Sequence, residues 1–271
     1  MSRILAALSF FTRLPFWKIT TLSKDDYKRV VPLWPLAGWI TGSVMMLTFW
    51  LSSFLFPVTL AVVISFVARL LITGALHEDG FADFFDGFGG GNDRDSILRI
   101  MKDSHIGTYG VLALICYYLI FTTTLVSCIT TLQQLTPNGC FSLSESEIWL
   151  NLRVATVFLA ADTFSKWASS NIINILPYAR KEEDAKNHLV YTRMTMGERI
   201  IGFVLGVIPS FVFLFPTMGL RVFVPFVAAT VMAAAVIYIC HKKLKAYTGD
   251  CCGACFILSE LAFMLALLAV I

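Results

Sequence analysis

Charge is scarce in this chain. Only 14% of its 271 residues are Asp, Glu, Lys or Arg, while 57% are hydrophobic and the mean hydropathy is +0.75. That composition excludes an ordinary soluble domain and points to an all-α polytopic membrane protein. The chain also lacks a linker, a low-complexity tract and a convincing repeat, so residues 1–271 read as one integral-membrane domain. No cleavable signal peptide is evident. The stretch from Ile4 to Trp17 is too short to span, and Arg13 and Pro15 interrupt it, which fits an interfacial helix on the membrane surface. The seven cysteines form no disulfide framework and mostly fall in apolar segments. Cys251, Cys252 and Cys255 have only His241 nearby, a weak zinc signal.

Apolar length is what the chain has in quantity, with 23 Phe and 6 Trp. Seven segments can cross the bilayer, near 33–55, 57–76, 107–132, 151–176, 200–219, 222–240 and 253–271. Pro32, Pro35, Gly38 and Gly42 mark the start of the first, where the glycines permit close helix packing. The net charge of +3 says little, but its distribution says more. Segments 1–29, 77–106, 177–199 and 241–252 carry 17 of the 21 Lys and Arg, whereas 133–150 carries none. The positive-inside rule then places these four segments and the N-terminus in the cytoplasm and the C-terminus outside.

The second span runs into His77-Glu78-Asp79-Gly80-Phe81-Ala82-Asp83-Phe84-Phe85-Asp86-Gly87. Asp79, Asp83 and Asp86 recur at i, i+4 and i+7 and fall within about 60° on one face of a cytoplasmic acidic helix. Two such carboxylates about 6 Å apart repel by roughly 3 kcal/mol at an effective dielectric near 20, which a bound cation relieves. Hard oxygen ligands suit Mg²⁺, and Mg²⁺ suits phosphate chemistry. Glu78 sits about 100° from that face and is a poorer ligand. The helix should break at Gly89-Gly90-Gly91-Asn92, with Asp93 or Asp95 capping a short helix over 95–103.

Other residues are compatible with the same chemistry. His77 could act as a base or contact phosphate. Lys102, Asp103 and His105 bring a cation, a carboxylate and an imidazole back to the membrane surface. Asp250 precedes the last span on the side of the acidic helix, and Glu260 lies within that span, where it should face the bundle interior. Asp162 and Lys166, four residues apart, suit an intramembrane ion pair. Asp25, Asp26 and Glu182-Glu183-Asp184 read as solvated charges. If Asp250 belongs with the acidic cluster, the seventh span must pack beside the second. The alternative is that Asp250 caps the last helix.

Six stretches in order give the chain a resemblance to the cobalamin synthase (adenosylcobinamide-GDP ribazoletransferase) family over nearly its whole length. They are Phe11-Thr12-Arg13-Leu14-Pro15, Trp34-Pro35-Leu36-Ala37-Gly38, the acidic motif, Arg99 through Gly107, Pro177-Tyr178-Ala179-Arg180 and Tyr247-Thr248-Gly249-Asp250. His105 departs from the family, which commonly has Arg there. The resemblance implies a Mg²⁺-dependent enzyme that joins adenosylcobinamide-GDP to α-ribazole or its 5′-phosphate and releases GMP. On that reading Asp79, Asp83 and Asp86 hold Mg²⁺, with Asp250 completing the site or binding the nucleophile. Arg13, Lys102, Asp103, Arg180 and His77 meet substrate, and Asp83, His105 or His77 acts as base.

The implied setting is the bacterial inner membrane, with the site facing the cytoplasm. The partners are lipid and the two substrates, not nucleic acid, and homo-oligomerisation stays open. Two rival readings are a CDP-alcohol phosphatidyltransferase-like enzyme, whose Asp-Gly-x-x-Ala-Arg start is absent here, and a transporter using Asp162, Lys166 and Glu260.

Overall fold

The computed structural model describes residues 1–134, 145–184 and 189–271. The connection expected at 133–150 falls largely outside them. The described elements are α1 (Ser2–Phe11), α2 (Lys24–Lys28), α3 (Trp34–Ser52), α4 (Val58–Thr73), α5 (Leu76–Gly90), α6 (Arg94–Lys102), α7 (Thr108–Gln134), α8 (Glu145–Ser170), α9 (Ile172–Ile175), α10 (Met196–Met218), α11 (Phe223–Leu244) and α12 (Gly249–Leu268). Among the described residues no strand forms, and extended pairing is limited to one bridge between Tyr178 and Tyr247.

Helices stand at all seven positions expected of spans, but the number that meet the demands of a bilayer is smaller. Among the described residues, five regions are long and apolar enough to cross: Val31–Ser52, Thr108–Gln133, Met196–Pro216, Gly219–Leu244 and Gly249–Leu268. A sixth arises if α4 and α5 count together as one bent span. α4 has 16 residues, a rise of about 24 Å, which falls short of a hydrocarbon core of about 30 Å. α8 has the length, at 26 residues, but carries Asp162 and Lys166 in its interior.

The junction between α4 and α5 decides where the acidic residues go. Gly74 (φ 66°) and Ala75 (φ 58°) both adopt the left-handed conformation, ending α4 and turning the chain by 91°. For Ala75 that conformation costs about 1–2 kcal/mol, so surrounding packing must hold it. The acidic helix therefore does not continue along the axis of the second span. It turns and packs against α12, α7 and α6, burying His77, Glu78, Phe81, Phe84 and Asp86. It stops at Gly91, and Asp93 caps α6 by accepting the Asp95 and Ser96 amides, close to expectation.

α3 and α8 pack closely along much of their length. A Cβ added at Gly38 would lie 2.9 Å from Thr163 Cα, and one at Gly42 2.9 Å from Leu159 Cα. Backbone faces backbone at both points, so a methyl group would force the helices apart at a cost of about 1–3 kcal/mol. This closeness lets Thr41 of α3 donate to Asp162 at 2.8 Å, while Lys166 pairs with the same carboxylate. Next to this pair, Arg69 Nη1 binds both oxygens of Glu260 at 2.7 and 2.8 Å, and Nη2 donates to the Tyr117 hydroxyl at 2.7 Å. The acids and bases named for a transporter are thus tied into buried pairs. Such pairs are costly to break, because the remaining partner is left as an uncompensated charge.

The N-terminal helix ends at Phe11, where Thr12 turns extended (φ −135°, ψ 155°), and Pro15 follows. It buries Ala6, Ala7, Leu8 and Phe11 and packs on α3, so one face belongs to the bundle. Two residues expected to be solvated charges do more. Glu182 takes Lys24 and Lys28 at 2.7 and 2.8 Å, and Asp26 closes a capping box with Ser23.

Candidate functional site

The four Lys/Arg-rich segments meet at one end of the bundle. Lys28 reaches Glu182 at 2.8 Å, and the Thr192 amide donates to Lys28 O at 2.9 Å. Arg94 donates from Nε to Leu244 O (3.1 Å) and from Nη2 to Ala179 O (2.9 Å), clamping two loops onto the start of α6. Those loops pair directly: Ala179 N donates to Tyr247 O at 2.8 Å, and Tyr247 N to Pro177 O at 2.9 Å. Far apart in sequence, Pro177-Tyr178-Ala179-Arg180 and Tyr247-Thr248-Gly249-Asp250 become one unit. A guanidinium is suited to this task because its donors are fixed in a planar fork.

Asp250 enters the site through α12. Thr248 caps that helix, its hydroxyl oxygen accepting the Cys251 amide at 3.3 Å and donating to Asp250 Oδ2 at 3.2 Å. Asp250 is therefore not the cap. It sits in the first turn, where the helix N-terminus favours a carboxylate. α12 meets the acidic helix itself at close range. A Cβ on Gly80 would stand 3.0 Å from Asp250 Cα, and one on Gly253 3.0 Å from His77 O. With no side chain on either glycine, Asp79 and Asp250 come to border the same space.

That space is a cavity of about 210 Å³. Asp79, Asp250, Arg180 and Tyr178 form its polar part, together with Lys166 from the buried pair. Arg180 Nη2 donates to Leu98 O at 2.6 Å, which fixes the guanidinium and leaves further donors. Burial, reinforced by the Asp250 carboxylate, pushes the Tyr178 phenol up to about 12, so it remains a hydrogen-bond donor at neutral pH. Phe10, Phe11, Trp34, Tyr191 and Phe256 form an aromatic part around His77. His77 stacks on Phe11 at 5.7 Å and lies 4.5 Å from Phe256.

The structure divides the expected site residues. Asp79, Asp250, His77 and Arg180 line the cavity. Asp83 follows one helical turn after Asp79 and is half-buried. Asp86, only 6% exposed, turns elsewhere: its oxygens accept the Gly107 amide at 2.7 Å and the Gly110 amide at 2.8 Å. It thereby caps the start of α7, and the expected three-carboxylate ligand face is broken at that member. Among the described residues, no three His, Cys, Asp or Glu side chains gather closely enough to hold an ion by themselves.

Arg13, Lys102, Asp103 and His105 are outside the cavity wall. The Arg13 amide donates to Ile72 O at 2.7 Å, placing that residue over the α4–α5 turn. His105 is 91% exposed and bonds Asp103 at 2.7 Å. Its amide and ring together hold the Asp103 carboxyl below its usual range. Sequence reading gave no site role to Tyr178, Trp34 or the Arg94 clamp, and gave Lys166 one only in the transporter reading. Tyr178 and Trp34 do fall inside quoted motifs, the signal that could have singled them out.

Comparison with known proteins agrees with the motifs. The family model for cobalamin-5-phosphate synthase (CobS) matches residues 3–268. Curated relatives named adenosylcobinamide-GDP ribazoletransferase include proteins from Shewanella frigidimarina and Shewanella amazonensis. Each is 31% identical over 97% of this chain and 93% or 94% of its own length, respectively. Another, from Shewanella baltica, is 30% identical over 98% of this chain and 93% of its own. No solved structure matches.

Proposed function

Because the chain belongs to the cobalamin-5-phosphate synthase family, we propose that it transfers the adenosylcobinamide phosphate group of adenosylcobinamide-GDP to α-ribazole or α-ribazole 5′-phosphate. A ribazole hydroxyl oxygen bonds to the phosphorus that carries the corrinoid side chain. The bond from that phosphorus to the bridging oxygen breaks, GMP leaves with the electron pair, and adenosylcobalamin or its 5′-phosphate remains. The observation that carries this reading to the residues is the meeting of Asp79 and Asp250 with Arg180 and Tyr178 around one cavity.

Each lining group has a task. Arg180 and the Tyr178 hydroxyl donate to the diphosphate, holding it in line with the incoming oxygen. Of the bases considered, only His77 borders the cavity, and it takes the hydroxyl proton. The donor set fits Mg²⁺, which binds through one or two carboxylates and fills its remaining positions with water and substrate phosphate. Asp79 and Asp250 would hold it, with Asp83 next along α5. When bound, the ion supplies positive charge against the charge developing on GMP.

The protein spans a membrane, and we place the cavity at the cytoplasmic face of the bacterial inner membrane. The support is that the segments richest in Lys and Arg are the same ones that surround the cavity. Purified protein given both substrates should release GMP, and omission of either substrate or of Mg²⁺ should stop it. GMP release without ribazole would point to a hydrolase and overturn the transfer reading. In intact cells, Leu220→Cys should react with an impermeant thiol reagent and Asn92→Cys should not. The reverse pattern would put the site outside.

A further inference from the structure

Trp34 lines the cavity at only 4% exposure, and its buried indole N–H has no hydrogen-bond acceptor among the described residues. The ring packs edge-on against Phe11 and Tyr191, both at 5.6 Å. An orphaned donor inside an apolar wall costs free energy that a ligand carrying one acceptor would recover. The surroundings define that ligand further. Phe10, Phe11, Tyr191 and Phe256 supply flat apolar faces, which favour a planar aromatic ring.

Resting on the transfer reading above, we propose that the aromatic part of the cavity is the subsite for the base of α-ribazole, with Trp34 as its specificity determinant. That base is a planar bicycle with one nitrogen bonded to ribose and the other carrying a free lone pair. The Trp34 N–H donates to the free nitrogen. Two competing occupants fit less well. The corrin is far larger than about 210 Å³ and must remain outside the cavity. Guanine presents several donors and acceptors along its edges, most of which this wall would leave unpaired. With the base seated on the aromatics, its ribose lies beside His77, between the aromatic part and Asp79, Asp250 and Arg180, where the hydroxyl must react.

Trp34→Phe tests the assignment, since it keeps a ring and removes only the donor. Equilibrium dialysis should show α-ribazole bound about five- to tenfold more weakly by the variant, as expected for one lost hydrogen bond. In turnover, KM for α-ribazole should rise by a similar factor, while kcat and KM for adenosylcobinamide-GDP stay within about twofold. An isostere with CH in place of the free ring nitrogen should bind weakly to the parent and equally weakly to the variant. A rise in KM for adenosylcobinamide-GDP alone would assign the pocket to guanine and overturn the proposal. So would unchanged α-ribazole binding, or a variant that still prefers the nitrogen-bearing base. If the parent released no GMP, the transfer reading would fall, while dialysis would still decide whether the pocket holds the base.

Discussion

In the middle of the bundle, Arg69 is surrounded by Glu260, Tyr117 and Glu78, and Lys166 by Asp162 and Thr41. At the loop end, Asp79, Asp250, Arg180 and Tyr178 line a shared cavity. Both regions put ionisable groups into a chain with few of them, but their requirements differ. A charge fully enclosed by helices must be matched by the protein, or the fold bears its desolvation. A charge at a cavity wall can be matched by a ligand. Access to the cavity, not pairing, therefore separates the charges that a ligand can reach from those that only hold the bundle together. Lys166 is within reach and also holds the bundle, since it borders the cavity from within a buried pair.

The sharpest way to break this comparison is to remove Arg69. Arg69→Ala would leave Glu260 and Glu78 buried without their cation and should cost about 3–5 kcal/mol, seen as lost folded protein and a lower thermal transition in detergent. Arg69→Met with Glu260→Gln should recover much of that loss. If Arg69→Ala folded normally, the central network would not be structural.

Asp79→Asn and Asp250→Asn should reverse the balance between stability and activity. Each should lower turnover by at least about tenfold and raise the Mg²⁺ requirement, with stability changed by less than about 1 kcal/mol. Full activity with unaltered Mg²⁺ dependence would remove these residues from the site.

Asp86 and His105 sharpen the contrast with smaller effects. Asp86→Asn keeps one good acceptor of the two that α7 uses, so it should lose about 1–2 kcal/mol of stability. Its turnover should fall less than that of Asp79→Asn once folded protein is counted. His105→Asn should be within about 0.5 kcal/mol of the parent in stability and about twofold in rate, as expected of an exposed side chain off the cavity wall. A large loss of rate with normal folding would return His105 to the site.

How legible this was depends on the residue. The break at Gly91, the Asp93 cap and the contact of α12 with the acidic helix near Asp250 all followed from local rules or from the need to gather oxygens. The fate of Asp86 did not. Helix periodicity puts it on the face of Asp79, but it says nothing of which neighbour that face meets two turns later. Here the neighbour is the start of α7, whose free amides claim the carboxylate. His105 was named for its chemistry, and no local pattern announces that its loop turns away from the cavity.

The sequence by itself determined that this is a helical membrane protein, where its apolar segments lie, which segments share a side and which short motifs hold the polar residues. Those properties depend on neighbours a few residues apart and on transfer of each segment into lipid. Only the tertiary structure decided that α5 turns by 91°, that Thr248 caps α12 while Asp250 faces inward, and that Trp34 and Tyr178 join the cavity wall. Those outcomes depend on which helices touch. Contact between distant segments follows from packing the whole bundle at once, with glycines at Gly80 and Gly253 setting how close two helices come.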